Sequence, residues 1–263
     1  MIPLVGAVGA EPGEERSADW DRLWREAPEQ LEDLNAAEGE LRWRAQQRLV
    51  RRQFGSPLDL RVVELGAGRA TNALLYARNG ARATVIDKSP VALDQASRRF
   101  AEHGLDIETI EADVFSLPDE IQGRYDISMS FGLCEHFLGE RRRAVVSSHV
   151  ELLRPGGIAM INVPNRLSPI YRLWMKVAKA RGTWVLGTEV PFSADEMCDL
   201  AKMAGGLPLK PFYAGGAGTL VNQGINAVLT RIGLPSLPVP QVSIWGLDLL
   251  AYDLLVPVVR PRY

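Results

Sequence analysis

Short apolar runs that alternate with helical stretches set the tightest limit on what this chain of 263 residues can fold into. The runs lie at 60–65 (LRVVEL), 82–87 (RATVID), 106–111 (DIETIE), 124–130 (RYDISMS) and 157–163 (GIAMINV). Helical periodicity fills 70–80, 89–103 and 139–153, and a short loop or turn is expected near 115–121. Strand, helix and strand repeated at this spacing predict a parallel sheet with helices on both faces and right-handed crossovers. The expected class is α/β.

The flanks are different in character. Residues 1–16 read as a flexible tail, which lacks the positive start of a signal peptide because Arg16 is the first basic residue. Segment 17–56 reads as an N-terminal helical lid, polar but striped by Trp20, Leu23, Trp24, Leu31, Leu34, Leu41, Trp43 and Leu49, with a break at Pro28. The main domain is expected over 57–263. Within it, 165–190 carries Tyr171, Trp174, Trp184 and several cations, and reads as an inserted lid. Ser193 and Glu196 form a capping-box pattern for a helix over 193–203 that stops at Gly205 and Gly206. A strand is expected near 208–213, an irregular Gly- and Pro-rich stretch over 214–240, and a last strand inside 251–260. Together, 214–263 make an irregular and apolar C-terminal region.

A net charge of −2 argues against nucleic acid as a partner, because phosphate binding wants a concentrated positive face. The local basic clusters, Arg48, Arg51, Arg52 and Arg141–Arg143, read as solvated helix faces. Cys134 and Cys198 are far apart and match neither a disulfide framework nor a zinc spacing, which points to a reducing, cytoplasmic setting. The most apolar stretch, Val242–Val259, is interrupted by Asp248, Asp253 and Pro257, so no transmembrane segment is expected. Peripheral membrane contact through the C-terminal region remains open.

The segment from Arg61 to Pro90 carries the most chemistry. The run Val62–Leu65 ends in Gly66-Ala67-Gly68, a turn that lets the backbone pass close to a bound nucleoside and aims a helix N-terminus at it. Asp87 closes the next strand 19 residues after Gly68, where a carboxylate can accept both ribose hydroxyls. Glu64, just before the turn, would repel a pyrophosphate and suits the ammonium of a methionine moiety.

The chain resembles the class I S-adenosylmethionine-dependent methyltransferases, in particular the small-molecule branch of the ubiquinone-biosynthesis type, over roughly residues 60–205. Glu64-Leu65-Gly66-Ala67-Gly68 is similar to that family's first motif and Ile86-Asp87-Lys88-Ser89-Pro90 to its ribose motif. Glu111-Ala112-Asp113-Val114 resembles the segment that holds adenine. Tyr125-Asp126-Ile127 with Phe131 resembles the fourth strand and its exit, and Leu152–Gly157 the turn into the fifth. The resemblance implies a Rossmann-like, doubly wound, mostly parallel seven-stranded sheet, with S-adenosylmethionine as cofactor and S-adenosylhomocysteine as product. It implies cofactor contacts at Glu64, Gly66, Ala67, Gly68, Asp87, Lys88, Asp113, Val114 and Phe131.

The exit loop of the fourth strand presents Glu135 and His136, the candidates for substrate positioning or general-base work. Relatives that hold a divalent metal here carry another Glu three residues earlier, where this chain has Gly132, so no metal is expected. Cys134 reads as a small buried side chain, and His103 and His149 as surface or packing residues. Methyl transfer is an in-line displacement in which alignment and water exclusion supply much of the rate, so no catalytic triad is required. Trp20, Trp24, Trp43, Tyr171, Trp174 and Trp184 are the candidates to close over the site, and together they favour a small, fairly apolar acceptor methylated at oxygen or nitrogen. The alternatives are methylation of a macromolecule (protein or RNA), a nucleoside-binding regulator without catalysis, and an NAD(P)-dependent dehydrogenase, which Glu64 and Asp113 fit less well.

Overall fold

A computed structural model describes residues 17–26, 34–244 and 246–262. The expected alternation is present as β1 (Arg61–Leu65), β2 (Arg82–Asp87), β3 (Glu108–Glu111), β4 (Tyr125–Phe131) and β5 (Leu153–Pro164), all mutually parallel. They are followed by β6 (Leu207–Pro208), β7 (Phe212–Ala214) and β8 (Asp253–Val259). The sheet order is β3-β2-β1-β4-β5-β8-β6, with β7 also paired to β8. Strand β8 runs antiparallel to β5, β6 and β7.

The helices are α1 (Ser17–Glu26), α2 (Leu34–Glu38), α3 (Leu41–Phe54), α4 (Thr71–Arg78), α5 (Pro90–Glu102), α6 (Gly139–Leu152), α7 (Pro169–Ala180), α8 (Ala194–Met203), α9 (Gly216–Thr219) and α10 (Ala227–Arg231). Helices cover both faces of the inner strands, so β1 and β2 are mostly apolar and β4 is buried on both faces although Asp126, Ser128 and Ser130 alternate along it. Strand β3 lies at the edge, and its Glu108, Thr109 and Glu111 are exposed. Helix α5 starts where its sequence supplies a cap: the Ser89 hydroxyl accepts from Ala92 N at 3.2 Å, with Pro90 at the first helical position.

Several expectations need correction. The expected count of seven strands becomes eight, because the strand near 208–213 is split into β6 and β7. Pro208 and Pro211 carry no amide hydrogen, and only Leu209 N between them donates across, to Pro257 O at 2.8 Å. The stretch 214–240 is not irregular throughout: α9, a π-helical segment (Leu220–Asn226) and α10 make it helical from 216 to 231. Gly216 marks close packing rather than a turn, since a Cβ there would lie 1.8 Å from Leu247 O. At the helix over 194–203 the Ser193 hydroxyl accepts from Glu196 N at 3.2 Å, but the reciprocal half of the capping box is missing. The Glu196 carboxylate instead pairs with Arg142 at 3.0 Å and with Arg166.

The N-terminal segment divides into unlike parts. Trp43 is buried against Tyr76, with ring centroids 4.9 Å apart, and belongs with Leu34, Ala45 and Val50 to the main core. It is therefore not a residue of the site. Only α1 reaches across the sheet edge, held to α5 by Ser89 Oγ donating to the Asp21 carboxylate and by Gln95 Nε2 donating to Trp24 O at 2.9 Å. The tail over 1–16 and the break at Pro28 lie outside the described residues. No helix among the described residues is long and apolar enough to cross a membrane. The second half of the apolar stretch Val242–Val259 is β8, whose Leu254, Leu255, Val256 and Val258 are fully buried in the sheet.

Candidate active site

In a parallel sheet the loops at the carboxyl ends of the strands are gathered along one edge, and a ligand site forms where the strand order reverses. Here the reversal lies between β1 and β4, and a cavity of about 290 Å³ opens beside it. It runs from the tips of β2 and β3 past β1 to the exit of β4 and the start of β8. Of the residues expected at the site, Gly66, Ala67, Gly68, Asp87, Lys88, Asp113, Val114, Phe131, Glu135 and His136 all line it. Glu64 does not.

The glycine turn shows why those residue types stand there. Gly66, Gly68 and Ala70 take left-handed backbone conformations, with φ of +57°, +49° and +52°. A Cβ on Gly66 would lie 2.7 Å from Leu133 Cδ1, and one on Gly68 would lie 2.5 Å from the Trp24 ring. The turn is tied to β2 through Asp87, whose carboxylate accepts from Gly68 N at 3.0 Å and Ser89 N at 2.9 Å. Burial raises the Asp87 carboxyl above its ordinary value, against the pull of these amides. Glu64 sits beneath the turn, where it accepts from Ala73 N at 2.8 Å in the first turn of α4, and burial raises its carboxyl to about 7.

Beyond Asp87, the Asp113 carboxylate accepts from Phe115 N at 3.0 Å and the Ser148 hydroxyl donates to Val114 O at 2.8 Å, which fixes the shape of this wall. Phe115 and Phe137 meet edge to face at 4.9 Å, and the Arg141 guanidinium lies 4.6 Å from the Phe115 ring. The expectation that Arg141–Arg143 form a solvated face is corrected for Arg142 alone. Arg141 and Arg143 are exposed, with Arg141 at the cavity wall, while Arg142 is buried against the Phe192 ring and Glu196 where α8 packs on α6.

The opposite end is acidic and aromatic. Residues 166–191 leave and rejoin the sheet at one place, where Asn165 and Phe192 form a β-bridge and Arg166 N donates to Phe192 O at 2.7 Å. The last residues of this excursion are fastened to the β4 exit. His136 Nδ1 lies 2.8 Å from Thr188 O, and Val190 N donates to Glu135 O at 2.9 Å. A carbonyl only accepts, so Nδ1 carries the proton and Nε2 is the basic nitrogen of the neutral ring. Trp20 of α1 packs edge-on against this imidazole at 5.0 Å.

Glu189 is thereby set beside Glu135, and both are almost fully buried in the cavity wall with Leu186 and Tyr252. Tyr171 donates to one Glu189 oxygen, while the second oxygens of Glu135 and Glu189 accept no hydrogen bond. Burial pushes the Glu189 carboxyl up to about 7. Burial and then the neighbouring Glu189 charge push Glu135 well above the carboxylate range. Trp20 and Trp24 reach the cavity as expected, whereas Tyr171 acts from behind Glu189 and Trp174 stays partly exposed. Glu189, Tyr252 and Leu186 are additions that periodicity did not single out. Cys134 and His149 are fully buried packing residues. Burial raises the Cys134 thiol and lowers His149 to about 3.

The raised carboxyls carry a stability consequence. Glu189, at about 7 when folded against an ordinary 4.5, binds a proton more tightly in the native state, so native stability falls as pH climbs from 4.5 to 7. At most the loss is about 3 kcal/mol. Glu189→Gln removes it, and its melting temperature relative to the unsubstituted protein is expected to rise steadily across that window. Parallel curves from pH 4.5 to 8 in a buffered thermal-melt series would show that Glu189 does not carry the shift.

Comparison with known proteins agrees with this geometry. Residues 62–157 match the model of a methyltransferase domain. The chain is 29% identical over 108 residues to a ubiquinone biosynthesis O-methyltransferase of Erwinia tasmaniensis, covering 41% of this chain and 44% of that protein. A relative of the same name from Maricaulis maris is 26% identical over 128 residues, 49% of this chain and 48% of its own. The alignment thus spans about half the length of the curated relatives it matches. Among solved structures, magnesium protoporphyrin IX methyltransferase of Synechocystis with bound S-adenosylhomocysteine superposes with a TM-score of 0.58 at 15% identity, over 92% of this chain and 93% of that one. The 1,6-didemethyltoxoflavin-N1-methyltransferase of Burkholderia thailandensis gives 0.59 at 16% identity, over 99% and 95%. At such identities the superpositions speak for the fold. Residues 62–157 thus match a methyltransferase domain, and the fold around them is the one these solved methyltransferases share.

Proposed function

We propose that the protein transfers a methyl group from S-adenosylmethionine to an oxygen or nitrogen of a small, fairly apolar molecule. The observation that carries this reading is the single cavity in which the glycine turn, Asp87 and Asp113 line one end and Glu135, His136 and Tyr252 the other. The residues at the first end fit the cofactor. Asp87 offers carboxylate oxygens for the ribose hydroxyls, Asp113 and Val114 a polar edge for the adenine, and the turn through Gly66 and Gly68, packed against Leu133 and Trp24, closes this end. Lys88, Ala67 and Phe131 complete that wall. We assign Glu64 an indirect part, holding the turn against α4 through Ala73 N. When bound, S-adenosylmethionine supplies a sulfonium methyl open to in-line displacement.

The rest falls to the chain itself. Trp20, Leu23 and Trp24 of α1 cover the cavity and exclude water, which strengthens every polar contact inside. His136, with its proton on Nδ1, directs a basic Nε2 that can take a proton from a hydroxyl or ammonium, and Glu135 is the second candidate base. Leu133, Phe137, Leu186 and Tyr252 give the acceptor an apolar and aromatic surround. The names of the curated relatives and of the toxoflavin enzyme support a small-molecule acceptor at oxygen or nitrogen. We place the reaction in the cytoplasm, supported by two cysteines that remain free thiols. Exposed Ile225, Val228 and Ile232, near the cationic helix α7, support peripheral contact with an anionic membrane.

Asp87→Ala is expected to weaken S-adenosylhomocysteine binding more than tenfold by calorimetry, and unchanged affinity would sink the ribose assignment. His136→Ala should lower turnover at least tenfold with cofactor affinity intact; full activity would make it structural. Labelled S-adenosylmethionine incubated with a small-molecule extract, followed by mass analysis of the product, tests the reaction itself. Label appearing only in protein or RNA would overturn the small-molecule reading. Vesicles rich in phosphatidylglycerol should sediment the protein where neutral vesicles do not, and a protein left in the supernatant by both refutes the membrane contact.

A further inference from the structure

The acceptor end of the cavity contains more acid than its own structure satisfies. Glu135 and Glu189 come from different parts of the chain, and the hydrogen bonds of Thr188 O and Val190 N to the β4 exit hold them side by side. They are 2% and 3% exposed, both line the cavity, and each leaves its second carboxyl oxygen without a donor. A buried acceptor left unmade costs about 1–3 kcal/mol, more when it is charged, so two such side chains in one cavity wall favour a ligand that brings donors to them.

The surroundings narrow what those donors can be. Facing the pair are His136, Tyr171, Tyr252, Asp253, Cys134, Arg42 and Arg142. The two arginines form their ion pairs with other acids: Arg42 with Asp253 at 3.6 Å and Glu40 at 3.3 Å, Arg142 with Glu196 at 3.0 Å, although the Arg142 charge also reaches Glu135. Asp253 and the two glutamates therefore leave this end short of positive charge. The walls around them are Trp20, Leu133, Phe137 and Tyr252, aromatic or apolar. A carboxylate or phosphate would be repelled, and a neutral hydroxyl offers one hydrogen to two waiting oxygens. An ammonium offers two or three hydrogens, a full positive charge, and attraction to aromatic faces.

We propose that this end of the site recognises a cationic amine carried on an aromatic or other apolar body, with Glu189 and Glu135 as its paired anchors. The proposal rests on the reading of the cavity as a methyltransferase site, and names its acceptor class. Glu189 is the specificity-determining member, because the excursion over 166–191 supplies it while the cofactor end is built from the sheet. Binding of the ammonium favours both carboxylates in their ionised form, so a proton held by the pair passes to solvent as the amine enters. Amine affinity then rises with pH up to about neutrality.

The test uses the full chain saturated with S-adenosylhomocysteine and titrated in a calorimeter with phenethylamine, tryptamine and octylamine, each beside the alcohol of the same skeleton. At least one amine is expected to bind ten times tighter or more than its alcohol. The heat should vary with the ionisation enthalpy of the buffer at pH 6.5, reporting the released proton. Glu189→Gln should erase the preference while retaining S-adenosylhomocysteine affinity and a native melt, and Glu189→Asp should keep part of it. No amine binding, equal affinity for amine and alcohol, or an unchanged preference in Glu189→Gln each overturns the proposal. Failure of S-adenosylhomocysteine itself to bind is a separate result, and overturns the cofactor reading instead.

Discussion

The Asp87 carboxylate is the constraint on which the site depends. It closes β2 at the point where the chain must turn, and both its oxygens accept backbone amides, one from Gly68 in the turn after β1 and one from Ser89 at the start of α5. Two adjacent strand ends are thereby locked in one geometry by a side chain that is itself mostly buried. A carboxylate is the only ordinary side chain that can accept from both at once without bringing a donor of its own. The same group faces the cavity, so the bond network that shapes the turn also sets the polarity of what can lie on it.

That part of the molecule was legible in sequence because its determinants are local. A short apolar run, Gly66-Ala67-Gly68 and a strand-ending Asp87 are all read within a few dozen residues, and the structure places Gly66, Ala67, Gly68 and Asp87 together on one wall. The sheet was legible for a similar reason, since burial on both faces makes β1 and β2 mostly apolar segments. Glu64 shows the limit of such reading. Its spacing suggested a ligand contact, but the pleat turns it under the loop toward Ala73 N, a direction that strand register sets and composition does not.

The acceptor end was much less legible. Glu189 lies in a stretch with neither helical nor strand periodicity, and nothing in its neighbours marks it as buried. Its place follows from the Asn165–Phe192 bridge and from hydrogen bonds to Glu135 and His136, partners tens of residues away. Trp43 misled in the opposite sense. Aromatic stripes on helices look alike whether they face a ligand or a core, and only packing against Tyr76 assigns this one to the core. The stretch around Gly216 and Gly218 read as irregular for want of any signal that another backbone passes close to them.

The Asn165–Phe192 bridge brings the two ends of the excursion together before any of its own residues are counted. Closing a loop that already starts and finishes at one point depends only weakly on its length, about 0.6 kcal/mol for each doubling. The wall that holds Glu189 can therefore be lengthened, shortened or exchanged as a cassette while β1, β2 and Asp87 stay as they are. A fold built this way keeps one donor and changes its customers by rewriting a single loop.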